Sequence, residues 1–143
     1  MASTIIINPA TGEKIAEYDR ITINKAKEKI TQSKKAFDSW KQKTFEERAQ
    51  LMHNLAAILE NNKEEYAQLA TREMGKTIGQ SRKEIEKCAL VCRYYADHTK
   101  VLLTDEIVKT EAAKSYVTFQ PIGVILAVMP WNFPFYQVIR FAV

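Results

Sequence analysis

Pro121-Ile122-Gly123-Val124-Ile125-Leu126-Ala127-Val128, running into Met129-Pro130-Trp131-Asn132-Phe133-Pro134, is the stretch whose reading decides the fold. Residues 124–128 are a continuous apolar run without polar alternation, punctuated by Pro121 and Gly123 on entry and by Pro130 after it. A run of that kind fits a strand covered on both faces, as in a parallel sheet. Pro134 suits a first helical turn, where a missing N–H is no loss, so residues 135–143 read as a helix opening. The expected order is strand, turn, helix, which places the chain in the α/β class. No C-cap glycine or polar turn follows Phe141-Ala142-Val143, so the helix is expected to continue into a longer protein.

Upstream the periodicity is helical. Ile23, Ala26, Ile30, Ser33, Phe37 and Trp40 step by three and four residues along one face, with Thr22 as N-cap. A second helix opens at Thr44-Phe45-Glu46-Glu47, whose Thr and second Glu form a capping box. Its stripe runs through Leu51, Leu55, Ile58, Leu59, Tyr66 and Leu69, and it should stop before Gly75. A third runs from about Thr77 to Lys100, with Ile78, Ile85, Cys88, Cys92 and Tyr95 on one side. At the N-terminus, the turn cluster Asn8-Pro9-Ala10-Thr11-Gly12-Glu13 separates Ile5-Ile6-Ile7 from Ile15-Ala16-Glu17-Tyr18, which predicts two short strands. Residues 106–120 lack a helical stripe and suggest two extended segments.

Composition narrows the class. Of the 143 residues, 46% are hydrophobic and 27% charged, as in a globular domain with one real core. The net charge of +4 comes from cations interleaved with acids, as in Lys25-Ala26-Lys27-Glu28-Lys29 and Arg82-Lys83-Glu84-Ile85-Glu86. Such mixed-sign stretches read as solvated helix faces, and nucleic acid is not an expected partner. No apolar run approaches the length needed to cross a bilayer, and there is no signal peptide, so no membrane association is expected. Two cysteines without a signal peptide point to free thiols and a cytoplasmic location. Cys88, Cys92 and His98 are too few for a thiolate metal site, so the cysteines are expected in the core, no metal is expected, and His53 is expected on a helix surface.

Three islands carry a resemblance. Gln120-Pro121-Ile122-Gly123-Val124 with Met129-Pro130-Trp131-Asn132-Phe133-Pro134 resembles the strand-and-turn signature of the aldehyde dehydrogenase superfamily. Asn8-Pro9-Ala10-Thr11-Gly12-Glu13 is similar to its opening turn, and Thr71-Arg72-Glu73-Met74-Gly75-Lys76 to its Glu-x-Gly-Lys helix junction. The resemblance spans nearly the whole chain and is most like succinate-semialdehyde dehydrogenases. It implies the N-terminal helical part and first sheet strand of a Rossmann-type cofactor domain. Residues 1–103 and 121–143 would form part of the dinucleotide-binding domain, and residues 104–120 part of the oligomerisation hairpin. NAD or NADP would be the cofactor of the full-length enzyme, a small aldehyde its substrate, and a homo-oligomer or association with a missing C-terminal portion its state of assembly.

The same resemblance implies roles for individual residues. Asn132 would donate from its amide to the oxyanion formed when a thiolate attacks an aldehyde; read alone, an Asn there would cap the following helix. Met129, Pro130 and Trp131 would border the nicotinamide side of the cofactor cleft; Trp131 alone would read as core. Arg140 would hold the distal carboxylate of succinate semialdehyde with its guanidinium fork, the alternative being a structural salt bridge. Phe133 and Gln137 would lie near the same entrance. No Gly-rich phosphate loop and neither the cysteine nor the glutamate motif of the family occurs in the sequence, so the chain alone is expected to be inactive. A piece of an enzyme, one half of a split enzyme and a non-catalytic interaction remnant all remain open at this stage.

Overall fold

The computed structural model describes residues 2–143 as a three-helix core with a fourth helix closing over it. β1 (Ser3–Ile7) and β2 (Lys14–Asp19) form an antiparallel hairpin with a register irregularity between Ile6 and Ile7. The turn cluster behaves as expected. Asn8 Oδ1 accepts the Ala10 N–H, and Gly12 adopts φ 76°. α1 (Ile23–Trp40) follows with Thr22 accepting the Lys25 N–H.

α2 (Phe45–Asn61) starts with the anticipated capping box: Thr44 Oγ1 accepts the Glu47 N–H at 3.1 Å, and Glu47 accepts the Thr44 N–H at 2.8 Å. The helix expected to run on to Gly75 is broken in two. Asn62 leaves helical geometry, its side-chain amide donates to the Ile58 carbonyl at 2.8 Å, and α3 (Lys63–Met74) begins on the next residue. An Asn side chain competes for backbone partners in this way, which the apolar stripe alone cannot reveal. α3 ends as predicted at Gly75, at φ 72°, whose N–H donates to the Thr71 carbonyl. A Cβ at Gly75 would come within 3.0 Å of Pro9, so the N-terminal turn packs directly onto the helix junction. Two of the sequence islands therefore meet in space.

α4 (Ile78–Leu102) is the central element, capped by Thr77 and packed against α2, α3 and α5 (Pro134–Ala142). Ala56 and Leu59 of α2 meet Ile85, Cys88, Ala89 and Cys92 of α4, and Phe135, Tyr136 and Ile139 of α5 close over them. Most of these buried residues are small, which lets the helix axes approach closely. Both cysteines are free and buried, as expected. The charged stretches are more than solvated faces. Arg82 forms a two-pronged pair with Glu64 at 2.8 and 2.6 Å, Arg93 pairs with Glu60, and Lys63 with Glu86, lacing α2 and α3 to α4.

One expectation is corrected. Residues 124–128 form no strand: Val124 and Ile125 are more than half exposed, and Leu126 and Val128 nearly 90% exposed. A strand exists only through a hydrogen-bonded neighbour, and no described segment pairs with this run. The first sheet strand of a Rossmann-type domain is thus absent from the described residues as a paired element; the fold is a helical cluster with two small antiparallel sheets. α1 forms as predicted, with Ala26, Ser33 and Phe37 of its stripe half-buried and Ile23 and Ile30 exposed. The extended segments in 106–120 do occur, as the two-residue strands β3 (Glu106–Ile107) and β4 (Tyr116–Val117). No helix among the described residues is long and apolar enough to cross a membrane.

Ile85 and Ile30 provide a matched test of this architecture. Ile85→Ala, at a site with 1% exposure, should lower unfolding free energy by about 2–5 kcal/mol in urea titrations. Ile30→Ala should change it by no more than about 0.5 kcal/mol.

Candidate functional site

α5 offers one face to α4 and turns a second toward the N-terminal hairpin. On the first, Phe133, Tyr136, Gln137 and Arg140 fall at positions i, i+3, i+4 and i+7, one side of a helix. Gln80, Lys83, Glu84 and Lys87 of α4 repeat the same spacing opposite them, and Lys76 closes the end of the groove. The two stripes enclose a cleft of about 480 Å³. Its walls carry aromatic rings, and four of its lining residues are cations. Lys87 lies over the Tyr136 ring at 4.4 Å. None of Lys83, Lys87 and Arg140 is ion-paired among the described residues, so the cleft presents uncompensated positive charge.

The fourth cation is committed. Lys76 pairs with Glu84, whose side chain is 1% exposed, and its ammonium sits over the Phe133 ring at 4.1 Å. Glu84 uses its other oxygen to accept the N–H groups of Phe135 and Tyr136 at 2.9 and 3.0 Å. Sequence reading assigned Glu84 to a solvated face and missed this role. The available signal was spacing: Glu84 lies four residues before Cys88 and three after Ser81, on the stripe that α4 buries.

The structure brings the substrate candidates Phe133, Gln137 and Arg140 together in this cleft. Asn132 precedes it in an exposed turn, and among the described residues its side chain makes no hydrogen bond. The N-cap of α5 is Phe133, without a side-chain cap bond, so the capping role open to Asn132 is not the one it takes. Trp131 turns the other way, 79% exposed at the edge of a second cleft with Ile6, Leu69, Glu73, Met74 and Phe135. Met129 is half-buried and Pro130 exposed, and neither lines either cleft. The Trp131 cleft is largely apolar, and its one charged side chain, Glu73, is an acid. A dinucleotide pyrophosphate needs cations or free backbone N–H groups, so these residues alone do not fit one.

Neither cysteine is poised for nucleophilic attack. Burial, reinforced by the nearby Glu84 carboxylate, pushes the Cys88 thiol up to about 12, and burial also raises Cys92. A thiolate is the reactive form, and both sites disfavour it. His53 is a helix-surface residue paired with Asp97 at 3.0 Å, while His98 stacks on Tyr94. No group of three or more metal-ligating side chains occurs among the described residues.

Comparison with known proteins converges on one family. Residues 2–143 match the profile of the Aldehyde dehydrogenase family. A probable succinate-semialdehyde dehydrogenase (NADP(+)) of Synechocystis sp. is 47% identical over 136 residues, covering 95% of this chain and 30% of the relative. A succinate-semialdehyde dehydrogenase (NADP(+)) of Mycobacterium leprae is 41% identical, covering 98% of this chain and 31% of the relative. Among solved structures, succinic semialdehyde dehydrogenase from Streptococcus pyogenes in complex with NADP+ superposes with a TM-score of 0.90 at 33% identity. That match covers 95% of this chain and 30% of the other. The chain thus spans about 30% of the length of these relatives.

The buried thiols set a pH expectation. The fold holds the Cys88 thiol neutral while the unfolded chain releases its proton near the ordinary value of 9.0. Its contribution to stability is therefore intact below that pH and is lost as pH rises toward 12. Ellman's reagent should label neither cysteine in the native chain at neutral pH and both in denaturant; rapid native labelling would contradict the packing.

Proposed function

The chain belongs to the aldehyde dehydrogenase family, and from that premise we propose that it is the N-terminal segment of an NAD(P)-dependent enzyme oxidising succinate semialdehyde to succinate. The observation that carries the substrate is the cationic cleft, with Arg140 unpaired at one end and the Asn132 turn at the other. Succinate semialdehyde is an aldehyde with a carboxylate at its far end, so it asks for an oxyanion donor and a cation a short distance apart. Asn132 adjoins the N-cap Phe133, and Phe133 and Arg140 are seven residues apart, roughly 10 Å along the helix axis. Side chains on a helix lean toward its N-terminus, so the long arginine reaches back toward the turn.

In this reading Asn132 supplies an amide N–H to the oxygen that becomes anionic as the aldehyde carbon turns tetrahedral. An unengaged side chain serves that purpose, since a donor already tied to its own backbone would have to be freed first. Arg140 holds the distal carboxylate, the Phe133 ring walls the cleft from water, and Lys83 and Lys87 draw the anion in. The nucleophilic thiolate is neither Cys88 nor Cys92, and the phosphates of NAD or NADP must find partners outside these residues. No hydride transfer is therefore expected from the chain alone. The uncovered apolar run 122–128 and the exposed Ile23 and Ile30 of α1 favour association with further chain, whether on the same polypeptide or another.

Two measurements test this. Without such a partner, the chain should self-associate at micromolar concentration in sedimentation velocity; a clean monomer would count against the covered-surface argument. Joined to the remaining two-thirds of the Synechocystis relative, it should support reduction of NADP by succinate semialdehyde. In that chimera Asn132→Ala should lower kcat by about 10²–10³. Arg140→Leu should raise KM for succinate semialdehyde about 10- to 100-fold, the worth of a charge-assisted hydrogen bond, and leave an uncharged aliphatic aldehyde unaffected. Equal losses on both aldehydes would remove Arg140 from substrate recognition.

A further inference from the structure

Glu84 is the one acidic side chain among the buried residues of the described chain. A carboxylate withdrawn from water is costly unless every lone pair facing the protein is engaged. Here one oxygen meets the Lys76 ammonium, and the other accepts two successive backbone N–H groups across the interface from α4 to α5. Those N–H groups belong to the first two residues of α5 able to donate, because Pro134 at the first position has none. Phe133 gives α5 no side-chain cap. The start of α5 is thus held by a distant helix rather than by its own sequence. Lys76 holds the same turn a second time, through the face of the Phe133 ring.

We propose that the Glu84–Lys76 pair is a positioning device that aims the Asn132 amide and sets the rotation of α5 that carries Arg140. The functional half of this inference rests on the roles proposed above for those two residues. Two adjacent N–H groups converging on one oxygen define both the height and the rotation of a helix, where a single bond would leave it free to swivel. One residue of slippage turns a helix by about 100°, enough to carry Arg140 out of the cleft. A shift of about 1 Å at a reacting group can cost about 10²-fold in rate, so the turn needs an anchor more exact than apolar contact. The carboxylate also lies at the positive end of the α5 dipole, where an anion is favoured.

The test uses the 143-residue chain and needs neither aldehyde nor cofactor, so its failure is distinct from failure of the proposed activity. Glu84→Asp keeps the charge and withdraws the carboxylate by about 1.5 Å, one carbon–carbon bond. Glu84→Gln keeps the reach and an acceptor oxygen but loses the charge. Hydrogen–deuterium exchange read by mass spectrometry should show the start of α5 exchanging about 10-fold faster in Glu84→Asp, with the buried segments of α2 and α4 unchanged. Glu84→Gln should fall between that variant and the parent. In a Trp40→Phe background, Trp131 emission reports the turn beside Asn132, and its quenching by iodide should change in Glu84→Asp more than in Glu84→Gln. Exchange that rises equally in α2, α4 and α5 would reduce Glu84 to a general structural role and overturn the proposal. So would Glu84→Asp exchange and quenching indistinguishable from the parent.

Discussion

A carboxylate buried between two helices is the constraint on which the candidate site depends. Glu84 sits on the inner face of α4, where its neighbours Ser81, Ile85 and Cys88 exclude water, and it accepts both N–H groups that open α5. A neutral acceptor would bind the same N–H groups more weakly, because charge-assisted hydrogen bonds are roughly twice as strong as neutral ones. A charge without Lys76 would be left uncompensated in the interior. The pair is therefore intelligible only as a unit, and the unit ties the Gly75–Lys76 junction and the first turns of α4 to the Asn132 turn, far along the chain.

That linkage explains the form of the cleft. Once the start of α5 is tied to α4, the helical repeat brings Tyr136, Gln137 and Arg140 opposite Gln80, Lys83 and Lys87. The pairing of two i, i+3, i+4, i+7 stripes makes a groove rather than a packed seam because long cations line much of it. Charged heads stay hydrated while their stems cover the apolar wall. On the other side of α5, Phe135 stacks on Tyr66 with ring centroids 5.4 Å apart, so the same helix is core on one face and cleft on the other. Small residues in α2, α3 and α4, among them Ala56, Ala67, Ala70 and Ala89, let the helices approach closely enough for this division.

Much of the local architecture was legible from residues alone. The capping threonines at 22 and 44, the glycine stop at 75 and the proline opening α5 act within one turn of themselves, so their readings carried over into the structure. Residues 124–128 failed for the opposite reason. Their apolarity is real, but becoming a strand depends on a neighbour that no local pattern supplies. The stripe of α1 shows the same limit: periodicity announces a helix and a face, and says nothing about whether that face is covered. Glu84 was overlooked because its neighbours Arg82, Lys83 and Glu86 resemble a solvated surface, while its own position on the helix wheel points inward.

By itself, then, the sequence determined the caps that open α1 and α2, the glycine that closes α3, which faces are apolar, the family signature and the residue types available at the Asn132 turn. These are matters of local hydrogen bonding and side-chain chemistry, settled within a few residues. The tertiary structure alone decided that α2 and α3 both pack on α4, that four cations line one groove and that a glutamate becomes the anchor of another helix. Such relations depend on the relative placement of segments separated along the chain, by 18 residues for Glu64 and Arg82 and by 51 for Glu84 and Phe135, and no period, cap or motif encodes the distance between them.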